Sequence, residues 1–329
     1  MYRQAIESDK LTLNSKKNFW PAYIPPFEDE IFSSWFMRLC HAHEIKSHSF
    51  AKFYFENDAI WNRDIDLYPS TNLISGIINN TPMTINEVGN MFLYSYKDVV
   101  YNSAPSGSIS NLGIFHRKRK NFGMLFCPGC LCEENKYFRK NWRLISTIAC
   151  TKCSLYLQDR CPNCQFPICF HRLETGYKSS ILRFPLDTCF NCKKSICQKF
   201  TSASVESLVY QTYINETISM GFNDKTSYSF TYFQILYLFQ TRMYTQSKAW
   251  SRIKNAIEDE FESITKSKIY FSDFNNLTQR RQSLLISYYL LDSWPNRFID
   301  FYIKYGLNCS EFTKDKNLPF WFTNVLKQN

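Results

Sequence analysis

The chain has 329 residues and a mass of 39.1 kDa, a length that predicts two or three structural units. Hydrophobic residues make up 44% of the sequence and aromatic residues 17%, which is enough apolar surface to exclude a wholly disordered chain. The formal net charge of +10 favours an anionic partner, most simply nucleic acid. A nucleotide-binding enzyme is disfavoured, because there are only 9 glycines and neither a GxGxxG fingerprint nor a P-loop motif.

The first residues are polar and charged, unlike a secretory signal. No apolar run approaches the roughly 18 residues that a membrane helix needs. We therefore expect a cytoplasmic protein that has no membrane partner.

The N-terminal region, residues 1–115, is predicted to be helical and to end in a Ser-rich linker. Apolar residues recur at helical spacing around Trp35, and further short helices are expected near 49–56 and 72–78. Residues 84–87 have the form of a capping box, which begins another helix. Two short helices joined by a turn suggest a helix-turn-helix, a motif that serves protein contacts as well as DNA binding.

The middle region, residues 116–200, is defined by cysteine. Eleven of the 13 cysteines lie between Cys127 and Cys197. They include four CxxC pairs, which are Cys127 and Cys130, Cys150 and Cys153, Cys161 and Cys164, and Cys189 and Cys192. A CxxC places two thiolates on one turn, and two such turns can complete a tetrahedron of sulfur around zinc. Pairing in chain order predicts two structural Zn²⁺ ions in tandem, with small zinc-ribbon β elements.

Other interpretations of the cysteines are weaker. A cytoplasmic location argues against structural disulfides, a redox CxxC does not come four at a time, and a catalytic zinc keeps one ligand position open. Four further residues could replace a neighbouring ligand: Cys132, Cys169, His171 and Cys197. Each of these is more simply a small buried or surface side chain.

A basic run, Arg117-Lys118-Arg119-Lys120, precedes the first CxxC pair. Together with Arg139 and Arg143 it is our candidate set of nucleic-acid contacts, through phosphate groups. Aromatic residues interleave with these charges, and they are expected to cover the zinc sites rather than to stack on bases. These aromatic residues are Phe122, Phe126, Tyr137, Phe138 and Trp142.

The C-terminal region, residues 201–329, is predicted to be a helical domain. Helices are expected over 204–220, 230–244, 277–293 and 296–305, with their aromatic stripes in the core. Arg280 and Arg281 are expected to be exposed.

No catalytic constellation is evident, since neither HExxH nor GxSxG occurs. The acidic residues Glu28, Asp29 and Glu30 precede an apolar helical run, where they would favour the helix dipole rather than bind a metal. Cys40 on that helix is interpreted as a core thiol. We therefore expect no enzymatic activity and no small-molecule substrate.

Two stretches resemble the TniQ/TnsD family of transposon target-selection proteins. The first runs from Pro26-Phe-Glu-Asp-Glu30 to Ser34-Trp-Phe-Met-Arg38. The second runs from Phe126-Cys-Pro-Gly-Cys130 through Tyr137-Phe-Arg139 and Trp142-Arg-Leu144 to Cys161-Pro-Asn-Cys164. They cover roughly residues 20–200, and the sequence departs from the family where Cys150-Thr-Lys-Cys153 replaces the common CxxH.

The resemblance implies an adaptor rather than a transposase, in a bacterial cytoplasm and associated with the nucleoid when active. Short TniQ-like members link a CRISPR effector complex, protein and guide RNA, to the AAA+ ATPase TnsC on target DNA, and some form homodimers. Long TnsD-like members bind a fixed attachment site themselves, which is the alternative function. The length of this chain is closer to that of the short, CRISPR-associated group.

Overall fold

A computed structural model describes residues 19–55, 60–105, 107–112, 121–174, 176, 184–244, 250–261, 277–313 and 317–328. These residues form twelve α-helices and one sheet of two strands, so the mostly helical fold class is confirmed. None of the helices among them is long and apolar enough to cross a membrane.

Four helices form the N-terminal region. They are α1 (Phe32–Ala42), α2 (Ser47–Phe55), α3 (Thr71–Asn80) and α4 (Ile85–Asn90). The α1 helix is central, and eight of its eleven residues are buried. The predicted capping box begins α4: Thr84 accepts a hydrogen bond from the backbone N–H of Glu87, whose carboxylate accepts one from the Thr84 N–H. Helices α3 and α4 pack together, but their reading as a helix-turn-helix stays a prediction.

The middle region has little regular structure. It contains α5 (Pro128–Cys132), β1 (Ala149–Cys150) and β2 (Leu155–Tyr156). The two strands pair antiparallel, with Ala149 opposite Tyr156 and Cys150 opposite Leu155. Short 3-10 turns occur at Lys140–Arg143 and Phe170–Arg172. The region nevertheless buries apolar side chains such as Phe126, Phe138 and Leu157, and metal sites would add to its stability.

Seven helices follow in the C-terminal region. They are α6 (Val205–Met220), α7 (Ser229–Tyr244), α8 (Ser251–Phe261), α9 (Leu277–Leu291), α10 (Asn296–Lys304), α11 (Ser310–Thr313) and α12 (Phe320–Gln328). The four helices predicted here are confirmed to within a few residues. Gly221 ends α6 with a φ of 75°, the left-handed conformation of a helix C-cap.

The expected exposure of Arg280 is wrong. This side chain is 2% exposed, and its guanidinium donates hydrogen bonds to the carbonyl oxygens of Leu144 and Ile145 and to Ser110 Oγ. Carbonyl dipoles and a hydroxyl therefore compensate the cation for the water it has lost. Arg281 is also partly buried, since it donates to Leu157 O and lies over the Tyr156 ring, 4.0 Å from its centroid.

Contacts of this kind cross both predicted domain boundaries. From α6, Tyr210 Oη donates to Ser146 O and the Gln211 amide oxygen accepts from Ile148 N. The boundaries themselves stay a prediction, but the middle region is the part of the chain on which the helices of both ends pack.

Candidate metal centres and their setting

The first cluster contains Cys127, Cys130, Cys150 and Cys153, whose sulfur atoms all lie within 4.8 Å of one another. Cys130 Sγ is 3.6 Å from both Cys150 Sγ and Cys153 Sγ. The start of α5 supplies the first two thiols, and the β1–β2 hairpin supplies the other two. Two hydrogen bonds between Phe126 and Gln158 hold the two parts together.

The geometry of this cluster fits a tetrahedral metal ion. A zinc ion with Zn–S bonds of about 2.3 Å requires sulfur atoms about 3.8 Å apart, close to the separations found. Hydrogen bonds from Cys127 and Cys130 lower the pKa of Cys150, which shows how strongly the crowded sulfur atoms interact. Four thiols and no further donor are typical of a closed structural site.

Gly129 explains why the first knuckle is Cys-Pro-Gly-Cys. A Cβ atom at this position would lie 2.9 Å from Cys153 Sγ and 3.1 Å from Leu155 Cδ1. In the second cluster the matching residue is Asn163, which is exposed. The first knuckle thus needs glycine because the opposite hairpin packs directly on it.

The second cluster contains Cys161, Cys164, Cys189 and Cys192, again within 4.8 Å of one another. The Sγ atoms of Cys161 and Cys192 are 3.7 Å apart, and those of Cys164 and Cys189 are 3.5 Å apart. Two tight turns form it, with hydrogen bonds from Cys161 N to Phe166 O and from Cys189 N to Lys194 O. The predicted pairing of CxxC turns in chain order is therefore what the structure brings together.

The four possible substitute ligands lie outside both clusters. Cys169 and His171 are buried beside each other, with sulfur–nitrogen distances of 3.5 and 3.6 Å. The His171 ring stacks on Trp61 at 5.0 Å, and burial lowers its pKa to about 3, so it is a neutral core residue. Cys132 and Cys197 lie next to each other, away from the ligand sets.

The residues predicted to contact nucleic acid differ in where the structure places them. The run Arg117–Lys120 lies outside the described residues. Arg139 is partly exposed and pairs with Asp29 at 2.7 Å, so its contact with nucleic acid stays a prediction. The prediction that Arg143 contacts nucleic acid is wrong, because its side chain is 0% exposed. Its guanidinium instead pairs with Asp64 at 2.5 Å and with Asp66 at 3.3 Å.

Glu30 was expected to interact favourably with the dipole of the following helix, but the structure gives it a different role. It is 1% exposed, and its carboxylate pairs with Arg38 and accepts hydrogen bonds from Ser34 Oγ and Phe27 N. Burial raises its pKa to about 7. Ser34 and Arg38 are four residues apart on α1, and Glu30 precedes that helix by two residues. This four-residue spacing is a signal that the sequence does contain.

The two stretches of the sequence resemblance meet in space. Phe27 stacks on Tyr137 at 4.5 Å, Asp29 pairs with Arg139, and Ser34 Oγ accepts from Phe138 N at 2.9 Å. In addition, Ile31 N donates to Phe138 O. We call these contacts, between residues 27–38 and 137–139, the clasp. It attaches the N-terminal helices to the metal-binding region.

Clasp and clusters together define a helical protein organised around two tetracysteine centres. The family model named TniQ matches residues 21–157, a range that includes the clasp and the whole first cluster. Residues 21–157 are therefore a TniQ domain, and that domain indicates a protein of transposition target selection. No curated protein matches the chain. The second cluster lies beyond the matched range.

Proposed function

We propose that this protein is a target-selection adaptor of a Tn-like transposon, which links a CRISPR effector complex to the AAA+ ATPase TnsC for RNA-guided DNA insertion. The TniQ domain over residues 21–157 is the observation that carries the proposal. The protein would act by presenting surfaces to its partners in a fixed arrangement, and would perform no chemistry of its own.

Each cluster is proposed to hold one structural Zn²⁺ ion. Cys127, Cys130, Cys150 and Cys153 would bind the first, and Cys161, Cys164, Cys189 and Cys192 the second. The ions would add to the apolar packing of a region whose strands are only two residues long.

The exposed surface of α4 favours protein docking over reading of base sequence. A recognition helix contacts base edges with its N-terminal residues. In α4 these positions carry exposed Ile85 and the carboxylate of Glu87, which Thr84 holds at the helix N-terminus. A carboxylate there would oppose the phosphate backbone.

The alternative is a TnsD-like protein that recognises a fixed attachment site alone. The overall positive charge and the run Arg117–Lys120 support it. In that case neither a CRISPR effector nor a homodimer would be required for the choice of site.

A binding titration at near-physiological salt separates the two functions. Purified protein would be titrated with random duplex DNA and with the insertion locus of its transposon. An adaptor should bind both weakly and about equally, because phosphate contacts carry no base information. A preference of about a thousandfold or more for the locus is specific readout and would establish the TnsD-like function instead.

A second titration tests the basic run. Replacing Arg117, Lys118, Arg119 and Lys120 with glutamine should weaken binding to both duplexes alike and reduce its salt dependence. Loss of binding to the locus only would contradict the proposed adaptor.

A further inference from the structure

Two cysteines that neither cluster uses are neighbours in space. Cys132, the last residue of α5, is exposed, and its Sγ lies 3.9 Å from the carbonyl oxygen of Cys197. Burial raises the pKa of the Cys197 thiol, and the neighbouring Cys132 side chain adds to this shift. They are 65 residues apart in sequence, so the fold alone brings them together.

The setting of this pair is well ordered by other contacts. Cys197 belongs to a hairpin in which Ile196 N donates to Asp187 O and Cys197 N donates to Ser195 Oγ. Lys136, just beyond α5, reaches the same hairpin, with its Nζ 3.5 Å from Asp187. The end of α5 and the 187–197 hairpin are thus already in contact, and the two thiols lie across the boundary between them.

We propose that Cys132 and Cys197 are a redox pair that a peroxide converts to an intramolecular disulfide, joining the first metal centre to the hairpin of the second. The bond would connect α5, which carries Cys127 and Cys130, to the segment that carries Cys189 and Cys192. It would fix the position of one centre relative to the other without using any of the eight ligand thiols.

The reaction balances with a hydroperoxide as the oxidant. The exposed Cys132 sulfur, as thiolate, attacks the peroxide O–O bond and becomes a sulfenic acid, with release of water or an alcohol. Cys197 sulfur then attacks the sulfenic sulfur, the S–S bond forms, and its hydroxyl leaves as a second water. Two electrons pass from the two sulfur atoms to the peroxide, and both thiol protons end in the products.

Protection of the ligand cysteines is what makes the reaction selective. Thiolates shared with a metal ion have their lone pairs engaged, whereas the Cys132 sulfur is exposed to solvent. Closing the bond requires the two sulfur atoms to approach to about 2.05 Å.

Peptide mapping of the metal-loaded full chain tests the proposal. The protein would be treated with a small excess of hydrogen peroxide, alkylated, digested without reductant and analysed by mass spectrometry, with zinc content measured in parallel. We expect one cross-linked peptide pair that contains Cys132 and Cys197, short of two hydrogen atoms, at unchanged zinc content. Reduction with dithiothreitol should restore the two thiols.

Three variants complete the experiment. Cys132→Ser and Cys197→Ser should each abolish the cross-link, while Cys309→Ser, which changes a partly buried thiol outside the middle region, should leave it intact. A disulfide that includes a ligand cysteine, or zinc release at the rate of oxidation, would overturn the proposal. So would oxidation of Cys132 to a sulfinic acid with no cross-link. The peptide map gives an answer whether or not the chain binds TnsC or a CRISPR effector.

Discussion

Arg143 is the residue whose role differs most from its sequence setting. It lies in a basic, aromatic stretch, yet its guanidinium is fully buried and pairs with Asp64 and Asp66. It also donates to Ser110 O at 2.9 Å. Asp66 in turn accepts hydrogen bonds from the N–H and the hydroxyl of Ser33 on α1. The pair therefore fixes the central helix to the metal-binding region.

Removing one partner of this buried pair should be costly. Burial already raises the pKa of Asp66 to about 7, so in Arg143→Met this carboxyl must either take up a proton or remain as an unpaired buried charge. We expect a loss of about 3–5 kcal/mol in the free energy of unfolding. Denaturant titration of metal-loaded protein measures the change. Lys304→Ala removes an exposed ion pair with Glu260 and should leave the midpoint unchanged. Equal stability of the two variants would contradict the buried role of Arg143.

Glu30 should make stability depend on pH. Burial raises its pKa in the folded protein from 4.5 to about 7. The folded state therefore binds a proton that the unfolded state has released, and stability from this group is complete below about pH 4.5 and lost as pH rises towards 7. Glu30→Gln removes the titration. The difference in unfolding free energy, wild type minus variant, should fall between pH 5 and pH 7.5, and a rise would refute the raised pKa.

Adding one carbon atom at Gly129 tests the first metal centre. Gly129→Ala places a Cβ 2.9 Å from Cys153 Sγ, so the hairpin must shift away from α5. We expect the affinity of the first cluster for zinc to fall about 10- to 100-fold, as for other changes that misplace a ligand. Competition with a chelator measures it. The matched change Asn163→Ala, on the exposed second knuckle, should leave the first centre unaffected.

At the scale of elements, the two centres differ in what surrounds them. The first lies between α5 and the β1–β2 hairpin, and β1 packs against α6. Three of its cysteines are buried, whereas only two in the second cluster are. The first centre therefore contributes to packing on both sides of the middle region, while the second stabilises mainly its own two turns.

Loss of one ligand should remove one metal ion. Cys127→Ser and Cys161→Ser are each expected to bind one zinc where the parent binds two, as elemental analysis of purified protein would show. Each site should contribute on the order of 10 kcal/mol to folding of the middle region, so both variants should lose solubility. Cys40→Ser and Cys309→Ser should keep two ions. A parent protein with one metal ion or none would refute the zinc assignment.

Much of this architecture could be predicted from local patterns. The CxxC spacing gave the two ligand sets, and the capping box at Thr84 and the Gly221 stop gave helix ends within a residue or two. The burial of Arg143 and Arg280 could not be predicted, because their partners lie 33 to 170 residues away in sequence. Local patterns reveal charge and periodicity, but they do not reveal which carbonyl or carboxylate the fold brings to a long side chain.

At the scale of the molecule, Arg280 connects the C-terminal helices to the middle region. Arg280→Ala would leave the carbonyl oxygens of Leu144 and Ile145 buried without this donor. We expect thermal unfolding to change from one transition to two, with the C-terminal helices separating first. Scanning calorimetry measures the number of transitions. The control is Arg252→Ala, which should keep one transition, because the contact of Arg252 with Gly306 O lies within the C-terminal region. Two transitions in the parent protein would contradict the coupling.

The clasp has an evolutionary consequence. It joins positions about 110 residues apart through one aromatic stack, one ion pair and one side-chain-to-backbone hydrogen bond. Positions in such contact tend to co-vary. Among related sequences, loss of the acid at 29 should therefore accompany loss of the base at 139, and a non-aromatic residue at 27 should accompany one at 137. Position 34 should instead retain a small hydroxyl residue whatever residue stands at 138, because its partner across the clasp is a backbone N–H that every residue except proline provides.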